Sequence, residues 1–548
     1  MIDRALDENG GFSIDQPPHR HIWWWCTAAF LIGLLFRLIP LFEKQYFAGD
    51  EIRAYLAATA HEGEYRILLR AAKAPIATWA TVHDWTRMIE PEAGLGYGAV
   101  ARDLAMWDIH PPLYFWLLHG WTRLFGVTFW AGALLNLLLE GLILALIVMW
   151  GRAITRQSQT ALWLGVLWWL HPLTVRVSPL TRAYVLLTLI TLLFAVALYF
   201  VFYKRQTKGH RLLASAALIV TAVLGLLTHY LFLFILATSI FVLAIKYSQQ
   251  QWRVIFHMLL LLTTAFLLFL WIYPDFFWAF TFLLEKRPDF WAALPKRMGR
   301  TVFIGAALYG PMMLCLLMVW GLQASTLQRG GATKWRPISR WRGANTYIFG
   351  VAMLAWLPVL GTALFYILLI SPHHAMGAQY MNFVTPFVAL ISLRILHQSR
   401  RMGRAPIAFA ALLVAFNLVQ LHPALRDFGL PPRLQPADLA TDGAIVFDNP
   451  ASVHWFNVAL HLDETQPVYV ASQSELLAHP AGWLTRLENE GGLYLAFVLH
   501  NPTKAQSTLA GRERIVALLA AKTEVNLRTV LTPLHIGSLY IYTVTPKQ

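Results

Sequence analysis

The chain has 548 residues, 57% of them hydrophobic and only 13% charged, and its apolar runs repeatedly reach the length that crosses a bilayer, which a soluble domain does not need. Its 44 basic and 29 acidic residues leave a formal charge of +15, but the basic residues fall in short clusters between apolar runs rather than in one stripe. That pattern reports membrane topology and argues against a nucleic-acid partner.

Residues 1–22 combine Gly10-Gly11 and Pro17-Pro18 with charges, the composition of a mobile tail. The first apolar run, Trp23 to Phe42, lacks a small-residue cleavage site and reads as a retained anchor. A mixed segment, 43–128, follows without a full spanning run and is predicted to be a large extramembrane loop. Within it, Leu113–Phe125 is apolar but too short and too polar to span, with His119 and Arg123 inside it; it is predicted to be an interfacial helix. The remaining predicted spans are 129–149, 159–175, 183–202, 211–228, 230–247, 254–273, 301–322, 346–370, 383–397 and 405–421, about eleven with the first. This parity gathers Arg152 and Arg156, the cluster from Lys204 to Arg211, Lys246 and Arg253, the cluster from Arg329 to Arg342, and Arg400 to Arg404 on one side. By the positive-inside rule that side is the cytoplasm, so the 43–128 loop faces outward.

The outer loop 274–300 breaks the charge rule, with Lys286, Arg287, Lys296, Arg297 and Arg300 among aromatic residues. Ordinary interfacial anchoring and contact with lipid phosphate both suit it. From His422 the spans stop. Short β-rich runs at Ala444–Phe447, Val468–Ala471, Leu493–Leu499 and Ser538–Thr543 alternate with helical patterns at 474–490 and 504–521, which predicts a small α/β domain outside the membrane. The expected organisation is therefore a cytoplasmic tail (1–22), a mainly α-helical polytopic membrane domain (23–421) and an extracytoplasmic α/β domain (422–548). Cys26 and Cys315 both fall in predicted spans, which leaves no disulfide framework and no CxxC metal motif.

Five features carry chemistry. Asp50-Glu51 follows the first span, at the mouth of a membrane bundle, where a carboxylate pair needs water, a substrate or a cation nearby. Asp108-Ile109-His110-Pro111-Pro112-Leu113-Tyr114 holds His110 in extended backbone before a helix start, a position that suits an anion; a simple capping role is the rival reading. In Ser178-Pro179-Leu180-Thr181-Arg182-Ala183-Tyr184, Arg182 is either a phosphate clamp or a snorkelling arginine. Thr228-His229-Tyr230 must be a turn, because the apolar run around it is too long for one span. Asn136 and Glu140 lie four apart on the second span, either as a functional carboxylate or as an interhelical hydrogen-bonding pair.

In this order the motifs resemble those of the membrane glycosyltransferases of the GT-C class, and most of all the superfamily of protein O-mannosyltransferases and lipid A aminoarabinose transferases. The resemblance covers about residues 23–400. It implies a GT-C-like fold and an inverting transfer of a sugar from a polyprenyl-phosphate donor to a hydroxyl of a lipid, glycan or protein acceptor, at the outer face of the cytoplasmic membrane. Asp50 would be the catalytic base with Glu51 beside it, and His110, Arg182, His229 and Tyr114 would hold the donor. Relatives place an acidic residue where this chain has Leu180, and an Arg-Tyr pair where it has Gln379-Tyr380. Arg297 and Arg300 are therefore further donor-phosphate candidates, with Asp103, Asp108 and Tyr380 as secondary or acceptor-side residues. No cofactor is required by this reading, although a divalent cation at Asp50 and Glu51 stays open. The rivals are a transporter or flippase of lipid-linked saccharides, favoured by Glu140, and a ligase that moves a whole polyprenyl-linked glycan.

Overall fold

Long runs of Leu, Ile, Val and Phe can satisfy their backbone in a bilayer only by folding as helices or closed barrels, and here they are helices. The computed structural model describes residues 20–71, 74–92, 94, 96–108, 110–155, 157–202, 207–247, 252–279, 295, 298–299, 302–310, 313–314, 317, 345–369, 377–398, 405–428, 436–449, 453, 455–498, 502–531 and 538–547. Helix α1 (Arg20–Glu43) is followed by a long connecting loop, which holds α2 (Gly49–Ala58), α3 (Glu62–Ala71), strand β1 (Trp79–Thr81), α4 (Val82–Thr86), α5 (Tyr97–Trp107) and α6 (Leu113–Phe125). The bundle continues with α7 (Ala131–Thr155), α8 (Ser158–Trp169), α9 (Pro172–Val177), α10 (Tyr184–Phe202), α11 (Lys208–Thr228), α12 (Phe232–Tyr247), α13 (Trp252–Ile272), α14 (Asn345–Leu369), α15 (Thr385–Gln398) and α16 (Ala405–Phe428).

Among the described residues, five helices are long and apolar enough to cross a membrane: α7, α10, α11, α13 and the Trp23–Glu43 part of α1. The expected span 159–175 is not continuous. It breaks between α8 and α9, where Pro172 supplies no N–H and bars the residue before it from helix. His171 fills the gap by accepting the Leu173 N–H on Nδ1 at 3.2 Å. The expected span 301–322 lies partly outside the described residues. Helix α6 has the bounds predicted for the interfacial segment, and α11 and α12 part at His229 as expected.

One polar cluster sits inside the apolar bundle. Arg37 of α1 donates from Nε to Glu140 Oε2 of α7 at 2.6 Å, and its other nitrogens reach Gly33 O and Trp169 O at 2.9 Å and Thr174 Oγ1 at 3.3 Å. Ser178 Oγ donates to the same oxygen at 2.8 Å, and Oε1 is buried with no hydrogen-bond partner among the described residues. Glu140 is thus one half of an interhelical pair, with both side chains fully buried.

The C-terminal region adds α17 (Pro436–Leu439), β2 (Ala444–Phe447), α18 (Trp455–Ala459), β3 (Pro467–Val470), α19 (Gln473–Ala478), α20 (Ala481–Glu490), β4 (Gly492–Val498), α21 (Pro502–Lys522), β5 (Thr523–Leu531) and β6 (Ser538–Pro546). The sheet order is β1-β3-β2-β4-β6-β5, with β2 parallel to β3 and β4 and the other pairs antiparallel. Alternate residues divide between its faces. Ile445, Phe447, Val468, Val470, Leu493 and Leu495 join the apolar core that runs into the long connecting loop and bundle. Val446, Tyr469, Tyr494 and Ala496 face α20 and α21 in a second core with Trp483 and Leu519. The edge strand β1 comes from the long connecting loop, pairing Trp79, Ala80 and Thr81 with Tyr469, Val468 and Pro467. The sheet therefore extends beyond 422–548 in sequence, and it ties that region to the loop carrying Asp50.

Removing one member of the Arg37–Glu140 pair strands a buried charge. Arg37→Met is expected to destabilise the protein by about 3–5 kcal/mol, and the double variant with Glu140→Leu to recover most of that loss. Thermal unfolding of the detergent-solubilised variants measures both.

Candidate functional site

The site begins where α1 hands the chain to α2. Residues 44–48 form neither helix nor strand, with Ala48 extended, and α2 then carries Asp50 and Glu51 in its first turn, where the helix dipole favours acids. Adjacent helical residues point about 100° apart, so the two carboxylates enter different surroundings. Asp50 is exposed, while Glu51 is fully buried. Glu51 Oε2 accepts the Ala48 N–H at 2.9 Å, and Oε1 accepts the Thr181 N–H at 2.7 Å and an ion-paired hydrogen bond from Lys44 Nζ. With both oxygens engaged inside the protein, Glu51 presents nothing to a substrate or a cation. This departs from the expectation of two carboxylates in solvent and leaves Asp50 as the free one.

The turn Ser178–Arg182 is held at nearly every polar backbone position. Asn136 Nδ2 donates to Ser178 O at 3.3 Å and also to Leu180 O. Lys44 Nζ donates to Pro179 O at 2.6 Å, and Glu51 takes the Thr181 N–H. The turn fixes Arg182, which is buried and reaches both α2 and the segment before α6. Its Nη1 donates to the Asp50 backbone carbonyl at 3.0 Å, and its Nη2 donates to His110 Nε2 at 3.2 Å.

His110 can accept from Arg182 because its other nitrogen is a donor: Nδ1 bonds Asp108 Oδ1 at 2.8 Å. Asp108 ends α5, and Pro111-Pro112 keeps the intervening backbone out of helix until α6 begins. Asp108, His110 and Arg182 thus form a chain in which the carboxylate sets the imidazole tautomer and the imidazole sets the guanidinium. His229, between α11 and α12, meets the His110 ring edge-on with centroids 5.5 Å apart. Its Nδ1 accepts the Leu231 N–H at 3.2 Å, so Nε2 carries the hydrogen, and Nε2 is buried without a hydrogen-bond partner among the described residues. Burial, with His110 and Arg182 beside it, holds this imidazole well below its ordinary pKa and therefore neutral.

Tyr380 closes the far side from a 3-10 helix, Ala378–Val384, pinned by Asn382 Nδ2 to Thr188 Oγ1 at 3.0 Å. Its ring stands edge-on to Tyr184, centroids 5.2 Å apart, and lies 6.2 Å from His229. The charge of Asp50 acts on Arg182, Tyr184 and Tyr380, which puts all four in one field. Asp50, Asp108, His110, Arg182, His229 and Tyr380 accordingly meet at one place.

Other candidates lie elsewhere. Tyr114 is fully buried in the first turn of α6 and lies behind Glu51 and Arg182. Asp103 caps α3, accepting the Glu62 and Gly63 N–H groups at 3.1 and 3.0 Å. Arg297 and Arg300 lie outside the described residues. Sequence reasoning missed Lys44, which its position seven residues before Glu51 does not mark, and Arg37, a lone arginine in an apolar run that should have prompted a search for a buried acid.

No protein-family model matches the chain, and no curated protein matches it. Solved structures similar to it include those of ArnT from Cupriavidus metallidurans. The form bound to undecaprenyl phosphate has a TM-score of 0.48 at 11% identity, over 95% of this chain and 98% of that one. The apo form has a TM-score of 0.37 at 13% identity, over 95% and 97%. Both scores fall below 0.5, and the functional reading rests on the motifs and on the geometry of the site.

Glu62, beside this site, is almost wholly buried; Arg66 Nε donates to it at 2.6 Å and Arg53 Nη1 at 3.4 Å. Burial pushes its carboxyl up to about 7, against the two arginines. Because the native state keeps a proton that the unfolded chain has already released, stability falls as pH rises from the ordinary carboxyl range to about 7. Glu62→Gln is expected to flatten that fall and to stabilise the protein by about 1–3 kcal/mol at pH 8, with little effect at pH 4. Unfolding curves at the two pH values test it.

Proposed function

We propose that the protein is a glycosyltransferase that moves a sugar from a polyprenyl-phosphate donor to an acceptor hydroxyl at the outer face of the cytoplasmic membrane, with inversion. The observation that carries the reading is the juxtaposition of one exposed carboxylate, Asp50, with a fixed cation and an unpartnered donor, Arg182 and His229 Nε2. A displacement at an anomeric carbon needs these three things: a base for the attacking hydroxyl, positive charge for the departing phosphate, and donors aimed at it beforehand.

In the proposed step the acceptor oxygen bonds to the anomeric carbon as the carbon–oxygen bond to the phosphate breaks. The hydroxyl proton passes to Asp50, and polyprenyl phosphate leaves with the electron pair. Arg182 and His229 Nε2–H stabilise the charge gathering on the phosphate, while Asp108 and His110 keep the guanidinium in place. Phosphate is a good leaving group, so no second carboxylic acid is needed, unlike in glycoside hydrolysis. A lipid-anchored donor suits this side of the membrane, where nucleotide sugars are not expected. The basic clusters that set the topology support an outward-facing site.

The step as written needs no divalent cation, and Glu51, with both oxygens committed to Lys44, Ala48 and Thr181, offers none to one. The transporter reading drew on Glu140 and the number of spans. Glu140 Oε2 is engaged by Arg37 and Ser178, which gives that carboxylate an interhelical structural role.

Purified protein, supplied with radiolabelled polyprenyl-phosphate sugars and crude membrane acceptors, is expected to release free polyprenyl phosphate. Asp50→Asn should lower the rate about 10²–10⁴-fold with donor affinity retained. His229→Ala should weaken donor binding about tenfold. Release that survives Asp50→Asn would remove Asp50 as base. Labelled lipid crossing a vesicle bilayer, without release from any donor, would instead establish a transporter.

A further inference from the structure

Segment 44–48, which is neither helix nor strand, runs from α1 to α2, and Phe47 within it is completely buried. Buried backbone N–H and C=O groups must find partners, and outside a helix the usual one is a neighbouring strand. None lies beside Phe47 in the described sheet. A side chain from the C-terminal domain does the work of one. Asn457 Oδ1 accepts the Phe47 N–H at 2.7 Å, and Asn457 Nδ2 donates to the Phe47 carbonyl at 2.9 Å. Two residues earlier, His461 Nε2 donates to Gln45 O at 3.3 Å, and its ring stacks on Phe129 with centroids 5.2 Å apart.

We infer that Asn457 is a positioning residue for Asp50, so that the C-terminal domain is an integral part of the transferase site. This rests on the reading of Asp50 as base. Asp50 lies three residues beyond Phe47, and the coupling between them is stiff. Ala48 O accepts the Glu51 N–H at 2.8 Å, and the Phe47 ring is wedged between Tyr55 and Phe129 at 5.0 and 4.8 Å. A shift at Phe47 is therefore passed into the first turn of α2. Docking of the domain has its own fastenings: the β1–β3 pairing, Val82 N–H to Gln466 O at 3.1 Å and His83 N–H to Glu464 O at 3.0 Å. Asn457, itself buried, bonds instead to the segment that leads to Asp50.

Asn457→Asp in the full chain tests this with the least disturbance, because the side chain keeps its shape and the acceptor for Phe47 N–H but loses the donor to Phe47 O. Asn457→Ala loses both. Release of polyprenyl phosphate is expected to fall about tenfold in kcat for the aspartate variant and about a hundredfold for the alanine variant, with donor KM nearly unchanged. In an Asp50→Asn background, Asn457→Ala should bring no further loss, since a positioning residue cannot act through a base that is gone. Backbone amide exchange should quicken across residues 45–52 while β4 and β6 keep wild-type protection. An equal loss in the Asp50→Asn background, or exchange over 45–52 that does not change, would overturn the inference. Failure of the wild type to turn over any donor would instead count against the transferase reading, and the exchange measurement would still decide whether Asn457 sets the segment.

Discussion

The buried ion pair between Lys44 and Glu51 is the contact on which the candidate site depends. A buried pair repays its desolvation only when further hydrogen bonds complete its geometry. Here Ala48 and Thr181 donate to the carboxylate, and Lys44 also donates to Pro179 O. Two bonds to the 178–182 turn thus come from a segment more than a hundred residues away. The turn has little freedom left, and Arg182 emerges from it against Asp50 and His110.

This arrangement divides labour between two neighbouring acids. Glu51 sacrifices its reactivity to fix the scaffold, and Asp50 keeps a free carboxylate because the turn beside it is already satisfied. The same economy appears at the imidazoles. His110 is spent on orienting Arg182 through Asp108, whereas His229 keeps one N–H unpaired in a buried position. An unpartnered buried donor is costly unless something occupies it, and beside a fixed guanidinium the natural occupant is an anion.

Much of this organisation was legible. The proline pair at 111–112 marks the start of α6, and the turn at His229 follows from run length against bilayer thickness. The motif residues that converge, Asp50, His110, Arg182, His229 and Tyr380, were visible as polar punctuation in apolar sequence. Other features left no such trace. The environments of Asp50 and Glu51 differ because α2 is packed on almost every side, and ten residues give no periodicity that separates one acid from the next. Strand β1 is three residues long, too short to alternate visibly, and its partner β3 lies in another region of the chain. The Lys44, Arg37 and Asn457 contacts are set by tertiary approach alone. No local spacing announces them.

The central claim is that Asp50, Arg182 and His229 address one donor. Its most direct test is a cryo-electron microscopy map of the Asp50→Asn protein with a non-transferred polyprenyl-phosphate sugar bound. The account predicts the phosphate within hydrogen-bond distance of Arg182 and His229 Nε2, with the anomeric carbon facing residue 50. A phosphate seated away from both, or a sugar turned from residue 50, would contradict it.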